Sequence, residues 1–320
     1  MPSLRTYFQR SQPGRVSPSG TVITDLQHSL NASGSGQHGA DSLFGKETEL
    51  TLRAYQTNRG LTPTGTVTDE TWKSLIGTDE PSIFQRCLQV TASFEGTQFT
   101  EVVGNFDGAG ITWGIIGFTL INGEIGQLLA AAQQRYPDLV VKAFGDDAAE
   151  IVRICGPSTS AAAKTAWADT VSRGSNKYAV AEPWKTYFHD FGSFREVQKL
   201  QLDRAHDAYW TGAVKDANAL AMVEELDLML FYDIRVQNGG MGSKGRMAKA
   251  RAAIAQQSPK TAKDHRAIVA QVVADTIGKY KQDVLSRKMA IATGAGTVHG
   301  GQYQLADWGL LDGSKPLVVD

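Results

Sequence analysis

The chain has only two cysteines among its 320 residues, and Cys87 and Cys155 lie far apart in apolar surroundings. So few thiols argue against a disulfide framework, and two buried free thiols are the simplest interpretation. The sequence also lacks a Cys/His cluster with the spacing of a metal site, a phosphate-binding P-loop and a Rossmann glycine pattern. We therefore expect no metal and no cofactor.

A strong net charge and long apolar runs are also missing. Lys and Arg number 32 against 33 Asp and Glu, so the net charge of −1 gives no indication of a nucleic-acid partner. No apolar run reaches the roughly 18 residues of a membrane span. Arg5 and Arg10 have no apolar core behind them, so we expect no secretory signal. With 42% hydrophobic and 20% charged residues, the composition is that of an ordinary globular protein with one or two domains.

The first 78 residues divide into a leader and a compact unit. Residues 1–18 are polar and contain Pro, Ser and Gly, which predicts a leader with little to bury. In residues 19–78, apolar positions recur at helical spacing in two segments. A third helix is expected after a turn at residues 60–65, with Thr68 as its N-cap and acidic residues in its first turn.

This compact unit resembles the peptidoglycan-binding domain that is appended to many cell-wall hydrolases. The resemblance is carried by LFGKETELTLRAYQTNRGL at residues 43–61 and TGTVTDETWKSLIG at residues 64–77. It implies a module that binds a glycan or peptide-stem surface. It also implies a small three-helix core filled by Leu26, Leu30, Leu52, Tyr55, Trp72 and Leu75.

A larger domain is expected over residues 82–320, after a short linker that contains Pro81. Helical patterns dominate it, and strand-like sequence is found chiefly at residues 110–120. The predicted fold class is therefore mainly α. We expect a small three-helix domain and a larger two-lobed α+β domain with a small β-element and a cleft between its lobes.

One stretch of the larger domain sets two carboxylates and a hydroxyl in an apolar, glycine-rich surrounding. Glu95 follows an apolar run with helical spacing, so we expect its carboxyl at the end of a buried helix, where loss of water favours the neutral form. Asp107 lies in a glycine-punctuated turn and should stay solvated. Thr112 could hold an attacking water. Two carboxyl groups in unlike environments suit acid/base cleavage of a glycosidic bond, so the stretch predicts a glycosidase.

The segment DGAGITWGIIGF at residues 107–118 resembles glycoside hydrolase family 46, the chitosanases with a lysozyme-like fold. The resemblance extends over roughly residues 84–310. Weaker matching points follow in the family's order, at residues 194–210, 231–239 and 285–287.

The resemblance implies a role for each matching residue. Glu95 would be the general acid, Asp107 the general base, and Thr112 would position the nucleophilic water. Asp233 matches a buried aspartate of an Asp–Arg network that supports the catalytic glutamate, and Arg287 is its expected partner. The family inverts configuration, so the two catalytic carboxyl groups should be roughly 7–10 Å or more apart.

Several substrate contacts depart from the family pattern or stay open. Ala109 stands where the family has Arg or Asp, and Glu124 stands where an aspartate helps to read a glucosamine amine. The resemblance thus makes Glu124 a substrate-binding candidate and weakens the expectation of chitosan. For a second arginine of the network, Arg266 is one candidate, and Lys279 could stand in its place.

Aromatic and histidine side chains offer further candidates. Trp113 and Tyr209 could stack on sugar rings, although filling the core is the more usual role of such residues. His189, His206 and His299 are isolated in the sequence and are interpreted as structural.

The preferred hypothesis is an inverting endo-glycosidase, lysozyme- or muramidase-like, that cuts β-1,4 bonds of peptidoglycan and is held to the wall by its N-terminal module. The alternatives are an endo-chitosanase and a non-catalytic wall-binding protein. We expect a monomer that acts outside the cytoplasm on a cell wall. Its delivery route stays open between a phage-type endolysin, a secretion-system effector and a chain stripped of its leader.

Overall fold

The computed structural model describes residues 4–36, 39–95 and 98–319. The chain forms two compact units, one of residues 1–94 and 209–320 and the other of residues 95–208. The secondary structure is mainly helical with short antiparallel strand pairs, which confirms the expected fold class. Among the described residues, no helix has both the length and the apolar character that crossing a membrane requires.

The first unit begins with a strand, β1 (Thr6–Phe8), which pairs antiparallel with β2 (Val67–Thr68). Tyr7 and Phe8 are buried, so the expectation of a leader with little to bury is wrong for the described part of residues 1–18. Residues 1–3 of that leader lie outside the described residues. The sequence offered only two adjacent aromatic side chains here, too short a pattern for periodicity to show a strand.

Three helices pack with this strand pair: α1 (Thr21–Ala32), α2 (Lys46–Asn58) and α3 (Asp69–Ile76). Their apolar faces form one core with Tyr7 and Phe8. Thr68 caps α3 as expected, because its side-chain oxygen accepts a hydrogen bond from the backbone N–H of Thr71 at 3.2 Å.

Helix α4 (Ile83–Glu95) follows Pro81 and buries most of its side chains. The second unit then forms a three-stranded antiparallel sheet in the order β3-β4-β5. The described residues of this unit also form six α-helices, a 3₁₀ turn at Gly145–Asp147 and a strand pair. The bounds are β3 (Val102–Val103), β4 (Thr112–Trp113), β5 (Phe118–Thr119), α5 (Glu124–Arg135), α6 (Pro137–Phe144), α7 (Ala148–Cys155), α8 (Ala161–Val171), β6 (Ser172–Arg173), β7 (Ala179–Val180), α9 (Trp184–Ser193) and α10 (Arg195–Ala205).

The first unit resumes at Tyr209, within a π-helical turn at His206–Trp210. It is completed by five helices and a hairpin: α11 (Thr211–Asn218), α12 (Glu225–Asn238), α13 (Arg246–Gln257), α14 (Ala262–Asp275), α15 (Lys281–Thr293), β8 (Ala295–Val298) and β9 (Gly301–Gln304). Residues 217–238 are divided between α11 and α12, and residues 261–286 between α14 and α15, although the sequence pattern of each range is helical throughout. The C-terminal segment contains the β8–β9 hairpin.

The N-terminal segment is hydrogen-bonded to the C-terminal part of the same unit. Arg5 and Arg86 both pair with Glu225, a fully buried carboxylate at the start of α12, and the Arg86 Nη1 to Glu225 Oε1 distance is 2.9 Å. The Gln9 side chain donates to Asp307 Oδ1 at 2.6 Å, and Ser11 donates to Asp307 Oδ2 at 2.8 Å. Residues on either side of the three-helix module therefore share ionic and polar contacts with residues 139 to 298 positions away.

Candidate active site

Glu95 is the last residue of α4. The helix buries ten of its thirteen residues, but Glu95 itself is exposed. The expectation of a buried carboxyl is therefore wrong, because the apolar face of α4 ends one residue earlier, at Phe94. An exposed carboxyl at a rigid helix end can reach a ligand while its backbone stays fixed.

Asp107 lies in the loop between β3 and β4 and is exposed, as its glycine-rich turn predicted. Its Oδ1 accepts a hydrogen bond from the backbone N–H of Ala109 at 3.0 Å, which orients the carboxylate. Gly110 has φ of 78° and lies so close to Leu120 that a Cβ at this position would sit 3.0 Å from the leucine Cβ. Glycine at this position therefore serves both the turn and the close approach.

Thr112 is half-buried on β4, the central strand of the sheet, and pairs with Val103 on one side and Thr119 on the other. Glu124, at the start of α5, is mostly buried, and its Oε2 accepts hydrogen bonds from Thr119 N at 3.0 Å and Thr119 Oγ1 at 3.1 Å. The sheet thus places a carboxylate beside the neighbour of Thr112, within the same unit as Asp107.

A buried ionic network surrounds Asp233 on α12. Its carboxylate accepts hydrogen bonds from Arg287 Nη2 at 2.6 Å, Lys288 Nζ at 2.5 Å and Thr91 Oγ1 at 3.1 Å, and all four residues are 0% exposed. Burial alone would raise the pKa of Asp233, but the charges of Arg287 and Lys288 outweigh it and hold the pKa below its ordinary value. The predicted pairing of Asp233 with Arg287 is present.

The network reaches the residue next to Glu95. The guanidinium of Arg287 lies over the ring of Phe94, 5.1 Å from its centroid, and the Tyr303 ring meets the Phe94 ring edge-on at 4.8 Å. A ring nitrogen of His299 lies 2.9 Å from the backbone oxygen of Phe94. Its other ring nitrogen lies 3.1 Å from Asp283 Oδ1, so His299, isolated in the sequence, links α15 to the backbone at the end of α4. These contacts fix the backbone from which Glu95 projects.

The second cation of the network is Lys288, which sequence reasoning missed. Arg266 instead pairs with Glu224, Asp227 and Asp312, and Lys279 lies over the ring of Tyr280, so neither candidate contacts Asp233. Lys288 adjoins Arg287 in the sequence, and this pair of neighbouring basic residues was the available signal.

The aromatic candidates differ in exposure. Trp113 is 0% exposed, stacks on Phe191 at 5.4 Å and donates from its indole N–H to Phe188 O. Its assignment to the substrate-binding set is therefore wrong, because the core covers its ring. Tyr209 is half-buried in the π-helical turn. Cys87 and Cys155 are both buried and are not joined by a disulfide, as expected.

The Asp107 loop has a support that the sequence did not indicate. The Asn105 amide donates to Asp169 Oδ1 at 2.7 Å, and the Asn105 backbone N–H donates to Ser172 Oγ at 2.8 Å. Lys177 pairs with the same Asp169 oxygen at 2.8 Å. Hydrogen bonds from Lys177 and Asn105 lower the pKa of Asp169, so the supporting group remains a carboxylate. These partners lie more than 60 residues from Asn105, beyond any local pattern.

Glu95 at a helix end, Asp107 in the loop before β4 and Thr112 on β4 all belong to the second unit, and Glu95 and Asp107 are exposed. Among the described residues, no three His, Cys, Asp or Glu side chains form a group that could hold a metal ion.

Comparison with known families gives two matches. The family model for glycosyl hydrolase family 46 matches residues 90–274, more than half of the chain, and the chain belongs to this family of glycoside hydrolases. The model described as a putative peptidoglycan binding domain matches residues 19–75. Both expected resemblances are thereby confirmed.

Two solved structures are similar to the chain at low identity. One is the GH46 chitosanase GsCsn46A of Gynuella sunshinyii in complex with chitotetraose, at 14% identity and a TM-score of 0.48, covering 70% of this chain and 98% of that chain. The other is a chitosanase complex at 17% identity and a TM-score of 0.43, covering 69% of this chain and 95% of that chain. A comparison with curated proteins gave no match.

Proposed function

We propose that this glycoside hydrolase cleaves β-1,4 bonds within the glycan strands of peptidoglycan and inverts the configuration at the anomeric carbon. The observation that carries the proposal is the presence, in one chain, of a family 46 domain and a peptidoglycan-binding-type module at residues 19–75. A module of this type would raise the local concentration of wall glycan around the hydrolase, because linked binding sites act at a high effective concentration.

In the proposed mechanism, Glu95 protonates the oxygen of the leaving sugar, and its exposure at a fixed helix end supports this role. Asp107 takes a proton from water. The Ala109 N–H holds Asp107 Oδ1, and we assign Oδ2 as the proton acceptor. The water then attacks the anomeric carbon from the opposite face, which inverts its configuration. Thr112 orients that water from β4.

The Asp233 network would act through position rather than chemistry. Asp233, Arg287 and Lys288 are fully buried and hold Thr91 and Phe94 on the helix that ends at Glu95. A displacement of the acid by about 1 Å can cost roughly a hundredfold in rate, so a rigid helix end is of direct catalytic value.

Chitosan is the second candidate substrate, because residue 124 is still a carboxylate although glutamate stands where the family has aspartate. A carboxylate beside the Thr112–Thr119 pair could bind the ammonium group of a glucosamine unit. Ala109, in contrast, lacks the charged side chain that the family places there. The two substrates thus differ in which residues of this wall they would use.

The deciding experiment incubates the protein with purified sacculi and, separately, with soluble chitosan, and assays new reducing ends. Mass spectrometry of the products in ¹⁸O-labelled water would identify the bond that is cut. Release from sacculi with at most weak release from chitosan is expected, and cleavage of chitosan alone would overturn the preferred substrate. The same assay is run on Glu95→Gln, which removes the proposed acid. Its control is Glu101→Gln, the same substitution at another exposed glutamate of the same unit.

The same experiment tests the non-catalytic alternative. Loss of activity in Glu95→Gln with activity retained in Glu101→Gln would support catalysis at the proposed site. Absence of activity on both substrates in the unmodified protein would favour a wall-binding protein. We also propose that the protein acts as a monomer outside the cytoplasm, since peptidoglycan lies there, and light scattering after size exclusion tests the monomer.

A further inference from the structure

Two exposed aromatic side chains stand beside the proposed base. Phe106 is 48% exposed and Tyr178 is 50% exposed, and their ring centroids are 5.3 Å apart with an interplanar angle of 52°. Among the described residues of the second unit, these two are the large aromatic side chains that stand mainly in water. Burying aromatic surface stabilises a fold, so aromatic rings that stay exposed and in contact with each other are typical of a binding site.

The backbone holds both rings close to Asp107. Phe106 directly precedes Asp107, and its N–H donates to Gly104 O at 2.9 Å. The Gly104 N–H in turn donates to Tyr178 O at 2.7 Å, which joins the loop to the segment between β6 and β7. A Cβ at Gly104 would lie 2.3 Å from Lys177 O, so the contact requires glycine. The two rings therefore keep a fixed place relative to the base.

Polar contacts also fix the two backbone segments that carry these rings. Asn105 is buried, and it contacts Asp169 and Ser172 at 2.7 and 2.8 Å while its Oδ1 accepts from Gly110 N at 3.0 Å. Asp169 also pairs with Lys177, the residue before Tyr178. One network thus fixes the residue before Phe106 and the residue before Tyr178. Because these segments are already ordered, less conformational entropy is lost when a ligand binds.

We propose that Phe106 and Tyr178 form a sugar-binding platform that holds the pyranose ring next to the scissile bond on the Asp107 side. A β-1,4-linked hexosamine has equatorial substituents and therefore an apolar C–H face that can lie on an aromatic ring. The Tyr178 hydroxyl adds a polar tip that can bond a ring substituent. The proposal rests on the proposed cleavage of an aminosugar polymer but requires neither peptidoglycan nor chitosan in particular.

The test compares Phe106→Ala and Tyr178→Ala with Tyr178→Phe, which keeps the ring and removes the hydroxyl. Tyr280→Ala, at a 63% exposed tyrosine of the other unit, is the matched control. Each alanine variant should raise KM about 3- to 10-fold on whichever polymer the unmodified protein cleaves, with kcat within about twofold, as the size of an aromatic contact indicates. Tyr178→Phe should lie between the unmodified protein and Tyr178→Ala, because it keeps the ring and loses the hydroxyl, and Tyr280→Ala should not differ from the unmodified protein.

A second measurement separates this proposal from the proposed function. Binding of soluble aminosugar oligomers, of N-acetylglucosamine and of glucosamine, is titrated in the Glu95→Gln background, where no hydrolysis is needed. Weaker binding in both alanine variants supports the platform even if sacculi are not cleaved. Unchanged KM and unchanged oligomer binding in both variants, with circular dichroism showing intact folds, would overturn it.

Discussion

Replacing Asp233 with asparagine removes a negative charge from between two buried cations and changes the side-chain shape little. Arg287 and Lys288 are 0% exposed and donate to the Asp233 carboxylate over 2.5–3.2 Å. Removing one partner of a buried ion pair costs about 3–5 kcal/mol, because the remaining charge is left without compensation. Lys288 can release its proton and also bonds to Gln237 at 2.6 Å, whereas Arg287 keeps its charge. We therefore expect a loss of about 3–5 kcal/mol.

The assay is urea unfolding at neutral pH, followed by far-UV circular dichroism and by tryptophan fluorescence. Asp79→Asn provides the control, since it breaks an ion pair with Lys73 at a similar distance, 2.7 Å, in which both side chains are exposed. An exposed pair contributes at most about 1 kcal/mol. If Asp233→Asn lost no more stability than Asp79→Asn, the buried ion pairs of Asp233 would not be what stabilises the packing of α4.

The lowered pKa of Asp233 also predicts how its contribution to stability changes with pH. Because the folded-state pKa of Asp233 is lowered, its contribution is fully present above the pH of about 4 at which an unfolded aspartate titrates. That contribution is lost as the pH falls through the lower folded-state value. The stability difference between the unmodified protein and Asp233→Asn should thus be constant near neutrality and shrink below about pH 4. A difference that grew on acidification would contradict the lowered pKa.

Three further outcomes are expected. Glu95→Gln should lower hydrolysis by roughly 10²- to 10⁴-fold, as loss of a general acid does, and leave sacculus binding unchanged; sedimentation with sacculi measures the binding. Deletion of residues 1–78 should weaken wall binding and should also lower the melting temperature and the cleavage of soluble fragments. The reason is that it removes the contact of Arg5 with Glu225 and the contacts of Gln9 and Ser11 with Asp307. Unimpaired cleavage would show that these contacts are dispensable. Burial raises the pKa of Cys155 to about 12, so its thiol should resist maleimide at pH 8 in the folded protein and react only after unfolding.

Helical periodicity predicted most helices, because an amphipathic face repeats over several turns. It did not show where neighbouring helices separate. The break before α12 depends on a capping box in which the side chains of Glu224 and Asp227 each bond to the other's backbone N–H, a pattern that resembles an ordinary helical surface in the sequence. Strand β1 was missed because three residues give no period to read.

The residues proposed for the site rest on local sequence signals. Asp107 and Thr112 lie in one glycine-punctuated stretch, and the structure places Asp107 in the loop before β4 and Thr112 on β4 itself. The exposure of Glu95 could not be predicted, since a one-residue difference in where an apolar helix face ends lies within the uncertainty of any helix boundary. Lys288 and Asn105 act through partners 55 and 64 residues away, which only tertiary structure brings together.

The contact of Arg5 with Glu225 bears on how the chain is made. The two residues are 220 positions apart, and a ribosome adding about 5–20 residues per second reaches the second roughly 10–45 s after the first. During that interval Arg5 cannot pair with Glu225, because Glu225 has not yet been synthesised. The first unit therefore completes its fold late, after the whole of residues 95–208 has been synthesised. The three-helix module is therefore joined to the C-terminal helices only late in synthesis, by the contacts of residues 5–11 with Glu225 and Asp307.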